Sequence, residues 1–255
     1  MPANIPTREI WRQNGQMMRA VLFDLDGTLM DHETARSAGL RGHLSGWLPG
    51  LEEDELAVLE GEWQRLEALH YDEYARGECT FTEQRRRRVR GMRAVLEREP
   101  AEELTADAWF GAYLRHYRAA WRAFDDALPA LAGLATAYPS LELGVVTNGE
   151  GEPQRAKLAA IGLGEHFRVV VASGEEGVAK PEAEIFALAC ERLGVEREQT
   201  AHVGDRLDLD AEGALAAGLH GVWLDRLGTG PGPQAVERIS TLRELPAVLG
   251  RLSER

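Results

Sequence analysis

Short apolar runs of strand length recur along the chain at residues 20–26 (AVLFDLD), 141–148 (LELGVVTN), 167–173 (FRVVVAS), 200–205 (TAHVGD) and 220–225 (HGVWLD). Near-continuous apolar stretches of this length predict strands buried on both faces. Between the later runs lie segments with helix punctuation. Pro153 suits a first helical turn and Gly162 the position just past the end of PQRAKLAAI. Pro181 and Gly194 frame PEAEIFALACERL in the same way, and DLDAEGALAAGL predicts an alanine-rich helix able to pack closely on a sheet. Strands alternating with helices predict an α/β protein, a Rossmann-like parallel sheet with helices on both faces. In such sheets ligands bind at the carboxyl ends of the strands.

The pattern changes over residues 32–127. Leu56, Leu59, Trp63 and Leu66 form a helical stripe, Thr80 and Glu83 have capping-box spacing, and Trp109, Tyr113 and Tyr117 recur every fourth residue. No strand pattern intervenes. The segment predicts an inserted α-helical cap domain after the first strand, with its aromatic stripes filling its own core and with a structural rather than a substrate-binding part for His116 and Arg118. The organisation expected is a polar N-terminal tail over 1–17, an α/β core from 18–31 and 128–255, and the helical cap over 32–127.

Composition narrows the partners. The chain of 255 residues carries a formal net charge of −13, which opposes general binding to nucleic acid or to an anionic membrane. No apolar run approaches the roughly 20 residues of a membrane span, and the start, MPANIPTREIWRQNGQMM, lacks the apolar stretch of a secretory signal. Cys79 and Cys190 are the only cysteines and form no metal-like pair, so a reduced cytoplasmic setting is expected. Oligomeric state is not legible. Of 29 basic residues only Lys157 and Lys180 are lysines, so each lysine needs a reason of its own.

Candidate chemistry gathers at four strand ends. Asp24 and Asp26 leave the first strand on the same side, followed by Gly27 and Thr28. Thr147 and Asn148 end the second. Lys180 precedes Pro181, which biases it towards an extended backbone. Asp205 ends the fourth run, with Asp210 five residues on. Each has an ordinary reading, as a turn, a cap or a solvated lysine. Taken together, acids, a hydroxyl, an amide and an ammonium make a site for a metal and a phosphoryl group, with carboxylates holding Mg²⁺ and Thr147, Asn148 and Lys180 facing anionic oxygens.

The order DxDGT, strand-end Thr, Lys, then GDxxxxD resembles the haloacid dehalogenase superfamily. The run SGEEGVAKPEAEIFALACERLGVEREQTAHVGDRLDLDAEGALAAG is similar to its members with a helical cap inserted after the first motif. The resemblance covers residues 18–31 and 128–225, and the cap only in position and character. It implies an Mg²⁺-dependent phosphatase acting on a small phosphorylated metabolite of sugar, sugar-acid or nucleoside monophosphate type. Asp24 would be the nucleophile giving an aspartyl-phosphate. Asp26 would be the general acid and base, with its backbone carbonyl on the metal. Thr28 would orient Asp26, and Thr147 and Asn148 would bind the phosphoryl group. Lys180 would neutralise charge on that group and on Asp24. Asp205 would be the second metal carboxylate, and Asp210 would support either Lys180 or a metal-bound water.

Arg206 departs from the Ser or Thr often found there, and the tail is longer than the resemblance requires. A haloacid dehalogenase is the nearest rival, but those enzymes lack an acid two positions after the nucleophile. A phosphomutase and a non-catalytic binding protein on the same fold are the other readings. In the cap, EQRRRRVRGMR (83–93) reads as a solvated face, or as the source of one or two arginines among 86 to 90 that grip an anionic substrate. A cap over a core implies opening and closing, with hinges expected near 30–34 and 124–128.

Overall fold

The computed structural model describes residues 17–96, 104–230 and 232–254. Nearly all of the expected N-terminal tail, residues 1–16, lies outside them. The described residues form two compact units, one from 17–31 with the described part of 123–254 and the other from the described part of 32–122.

The first unit is built on six parallel strands, β1 (Ala20–Phe23), β2 (Glu142–Thr147), β3 (Val169–Ala172), β4 (Thr200–Gly204), β5 (His220–Leu224) and β6 (Glu237–Ile239), in the order β3-β2-β1-β4-β5-β6. Five of them stand where the apolar runs predict. The sixth is a surprise, since only Ile239 of its three residues is buried and an edge strand that short carries no periodic signal. Register aligns the central strands, with Ala20 opposite both Glu142 and Thr200, and Phe23 opposite Val145 and Val203. Strand order runs outward in both directions from β1, which makes the β1/β4 boundary a topological switch point. Every residue of β1 and β4 is buried. Ala20, Leu22, Val146 and Val171 pack against Ile185, Phe186 and Ala189 to form the core on one side.

The helices of this unit are α5 (Ala127–Ala137), α6 (Gly151–Ala160), α7 (Ser173–Glu176), α8 (Ala183–Leu193), α9 (Gly213–Ala216) and α10 (Leu245–Ser253). Gly194 ends α8 at φ 69°, in the left-handed region where a glycine stop is expected. The predicted helix over DLDAEGALAAGL is different. Leu207–Glu212 is a π-helical turn that runs into the short α9. Two contacts account for it: Asp210 is drawn inward onto Lys180, and Gly221 of β5 lies so close to the Ala211 carbonyl that a Cβ there would meet it at 2.0 Å.

The second unit is helical, with α1 (His32–Trp47), α2 (Glu53–Ala75), α3 (Phe81–Val95) and α4 (Ala106–Ala119), and no strand among its described residues. Leu59, Trp63 and Leu66 of α2 and Trp109, Tyr113 and Tyr117 of α4 are buried, so the stripes do form its core. His116 and Arg118 are exposed. Thr80 caps α3 by accepting from the Glu83 amide, while the Glu83 carboxylate pairs with Arg87 and Arg90. Only half of a capping box forms. No helix among the described residues is long and apolar enough to cross a membrane.

Residues 123–127, read from the sequence with the insertion, are bound into the α/β unit. Ala123 bridges Met30, and the Phe124 amide donates to the Leu29 carbonyl at 3.0 Å. Asp126 accepts from Arg226, from the Thr241 hydroxyl at 2.7 Å and from the Leu242 amide at 2.9 Å. Buried polar groups need such partners, and these lie in the α/β unit.

Candidate active site

The site is assembled at the carboxyl ends of β1, β2 and β4. Asp24 follows β1 directly, and its amide donates to the Val203 carbonyl of β4 at 2.8 Å, extending the ladder by one bond. The chain then turns at Gly27, whose φ of +93° suits glycine and where a Cβ would come within 2.5 Å of the Asp205 carboxylate. Thr28 is fully buried; its hydroxyl accepts from the Asp205 amide at 3.0 Å and donates to Asp205 Oδ1 at 3.4 Å. Thr28 therefore fixes Asp205 to the β1 loop, where the resemblance suggested it would orient Asp26.

Lys180, 5% exposed, places Nζ 2.6 Å from Asp24 Oδ1 and 2.6 Å from Asp210 Oδ1. Of the two roles open to Asp210, the structure shows it holding Lys180. Asp210 also accepts from His202 Nε2 at 3.1 Å and from the Arg206 amide at 3.0 Å, and both contacts depend on the π-helical turn. The Arg206 guanidinium points away to Asp208, so the unusual residue contributes its backbone here. Asn148 is corrected too. Its Nδ2 donates to the Lys180 carbonyl at 2.8 Å and its Oδ1 accepts from the Lys180 amide at 2.7 Å. The side chain expected to bind a phosphoryl group is engaged at both ends in bracing the Lys180 loop.

Charge is unbalanced. One oxygen from each of Asp24, Asp205 and Asp210 lies within 4.8 Å of the others, and Lys180 pairs with two of the three, Asp24 and Asp210. Burial pushes Asp24 up to about 8; Lys180 opposes the rise, and the neighbouring charges of Asp210 and Asp205 reinforce it. Burial and Asp210 raise Asp205 to about 6. Burial works against the charged form of Asp210 as well, yet Lys180 and His202 hold it well below the usual carboxylate range. Burial likewise opposes the charge on Lys180, but Asp210 and Asp24 keep its ammonium above the ordinary lysine value. Clustered carboxylate oxygens with an excess of negative charge fit a hard divalent cation such as Mg²⁺. The cradle left by Gly27 beside Asp205 agrees with that fit.

Asp26 lies outside this cluster of carboxylates. Its side chain meets Lys157 Nζ at 2.7 and 2.6 Å, and accepts from Gln154 Nε2 at 3.0 Å. Gln154 also donates to the Thr147 hydroxyl at 2.5 Å. Sequence reasoning missed Lys157, Gln154 and His202. The rarity of lysine was a usable signal for the first. A histidine inside an apolar strand was a weaker one for the third. For Gln154 there was none.

Comparison with known proteins agrees with this geometry. A family model of haloacid dehalogenase-like hydrolases matches residues 18–218. The phosphoserine phosphatase of Thermus thermophilus is 31% identical over 257 residues, covering 89% of this chain and 98% of that one. The glyceraldehyde 3-phosphate phosphatase of Methanopyrus kandleri is 35% identical over 207 residues, covering 80% of this chain and 82% of its own. The solved HAD-hydrolase YfnB of Bacillus subtilis has a similar fold, with a TM-score of 0.77 at 24% identity over 92% of this chain and 99% of that one. A parallel sheet with an acid-lined switch point, matched by that model over most of its length, defines the class: the chain belongs to the haloacid dehalogenase-like hydrolases. Within that family it is a phosphatase, a hydrolase acting on phosphoric monoesters.

Proposed function

We propose that this phosphatase hydrolyses a small phosphorylated metabolite, a sugar, sugar-acid or nucleoside monophosphate, through a phosphorylated Asp24. The observation that carries the reading is the Lys180 ammonium bridging Asp24 and Asp210 at 2.6 Å each, beside Asp205. A buried ammonium on one carboxylate oxygen orients Asp24 and leaves its other oxygen to attack. That oxygen bonds to phosphorus while the ester P–O bond breaks, and Asp26 gives a proton to the departing alkoxide. In the second half a water oxygen attacks phosphorus, Asp26 takes its proton, and the P–O bond to Asp24 breaks to release inorganic phosphate. Thr147 and Lys180 face the transferring group.

Asp24, Asp205 and the Asp26 carbonyl would hold Mg²⁺. When bound, the ion supplies positive charge that favours ionised carboxylates and screens Asp24 from an anionic substrate. Asp26 supports hydrolysis of an ester over release of a halide, which needs no proton. Selection of the substrate is assigned to the helical unit. Its cationic run fits the solvated reading only in part: Arg86, Arg87 and Arg90 pair with Asp107, Glu73 and Glu83 of the same unit, whereas Arg88 is buried against Glu67 and the Trp63 ring. Two free cysteines, Cys79 and Cys190, fit a reduced cytoplasmic setting.

The test is phosphate release from a panel of phosphomonoesters, with Mg²⁺ and with chelator, by wild type and Asp24→Asn. Release that needs the metal and falls by about a thousandfold or more in the variant is expected. Release unaffected by either change would overturn the reading.

A further inference from the structure

The chain uses arginine for 27 of its 29 basic residues, as 29 less the two lysines shows. Both lysines are buried, and each pairs with one of the two aspartates of the first motif, Lys180 with Asp24 and Lys157 with Asp26. The second pairing has no place in the roles described above. Lys157 is on α6, 131 residues from Asp26, and is 8% exposed. Its Nζ reaches both carboxylate oxygens, at 2.7 and 2.6 Å, a geometry that suits a compact ammonium at the end of a flexible stem.

Gln154 stands one turn earlier on the same face of α6 and is 4% exposed. Its amide nitrogen donates to Asp26 Oδ2 and to the Thr147 hydroxyl. Room for it is provided by Gly149, where a Cβ would come within 2.8 Å of the Gln154 side chain. Two residues of one helix thus seat the Asp26 carboxylate and link it to the end of β2. A carboxylate held by two donors on a rigid element is aimed, and proton transfer depends on that aim.

We propose that Lys157 and Gln154 are positioning residues for Asp26, fixing its carboxylate for the transfer of a proton to the leaving oxygen. The inference rests on the phosphatase reading and on the role given there to Asp26. It predicts a loss that depends on the leaving group. An alkoxide needs the proton; para-nitrophenolate, a far weaker base, leaves almost as well without it.

The experiment compares kcat/KM for the best alkyl phosphate of the panel with that for para-nitrophenyl phosphate. Wild type, Lys157→Met, Lys157→Arg, Gln154→Leu and Asp26→Asn are measured, each checked for an unchanged thermal melt. In Lys157→Met, kcat/KM for the alkyl ester should fall by about tenfold or more relative to the aryl ester. Gln154→Leu should shift the ratio in the same direction by less, and Lys157→Arg should restore part of it. Equal losses on both esters, or no loss on either, would overturn the proposal. If Lys157→Met does not fold, Gln154→Leu and Lys157→Arg carry the test alone. Asp26→Asn separates the two levels: if it shows no alkyl-to-aryl contrast, the role of Asp26 fails. If it shows the contrast and the α6 variants do not, only the positioning role fails.

Discussion

Asp24 and Asp205 are carboxyl groups whose burial keeps protons on them, up to about 8 and about 6. A group whose folded pKa is raised favours the folded state below its unfolded value of about 4 and loses that contribution as pH rises through the folded value. The metal-free protein should therefore lose stability across this interval. Cation binding has to displace the same protons, so it strengthens as pH rises. The melting-temperature gain from a fixed Mg²⁺ concentration, measured against chelator, should grow from about pH 5 to about pH 8.5 and flatten in Asp205→Asn. A gain of the same size at every pH would contradict the account. The residues of this cluster were legible in the sequence because acids ending apolar strands are unusual and recur in a known order. What their side chains touch was not. Asn148 stood out as a strand-end amide, yet only three-dimensional packing decides that it braces Lys180. The partner of Lys157 depends on a contact 131 residues away in sequence.

Among the elements, the π-helical turn after β4 does the most to shape the site. It returns the Asp210 carboxylate to Lys180, His202 and the Arg206 amide. Gly204 makes this possible, since a Cβ there would lie 2.2 Å from the Asp210 carboxylate. Gly204→Ala should destabilise the protein by about 1–3 kcal/mol through overpacking and lower turnover more than that loss explains, because Asp210 must move off Lys180. Chemical denaturation and steady-state rates check both; an alanine variant with wild-type rate and stability would refute this role for the glycine. Alanine-rich composition predicted a plain helix here, and composition alone carries no sign of a widened turn. The same limit hid β6. By contrast, the five longer strands and the glycine stop of α8 were legible, because buried runs and left-handed glycines leave local signals.

For the whole chain, the re-entry from the helical unit into the α/β unit is fixed by one buried carboxylate. Asp126 accepts two bonds from the Arg226 guanidinium, at 2.9 and 3.0 Å, and others from Thr241 and Leu242. Arg226 also donates to the Thr28 carbonyl at 2.9 Å and lies over the Phe124 ring, tying the nucleophile loop to the same point. Burial works against the charge on Asp126, but Arg226, Thr241 and Leu242 hold its carboxyl below the usual range. Its contribution is present above the unfolded value of about 4 and is lost as pH falls through the folded one. Asp126→Ala should cost about 2–4 kcal/mol near neutrality and less in acid, with Arg226 left unpaired. Urea titrations at several pH values test this, and a cost independent of pH would count against it. Helical periodicity showed the insertion, but its C-terminal edge was invisible, because residues 123–127 are claimed by contacts with Leu29 and Met30 and with Arg226, Thr241 and Leu242, all distant in sequence.

The central claim is that Asp24 becomes phosphorylated during turnover. Enzyme quenched while hydrolysing its best ester, then reduced with borohydride and digested, reports this by mass spectrometry, since an acyl phosphate is reduced to an alcohol whereas a free carboxylate is not. The account predicts homoserine at position 24 in substrate-treated samples only, more of it in Asp26→Asn treated with para-nitrophenyl phosphate, whose leaving group needs no proton, and none in Asp24→Asn. Steady turnover by the wild type with position 24 unreduced in every sample, together with an Asp24→Asn variant that still releases phosphate, would contradict it.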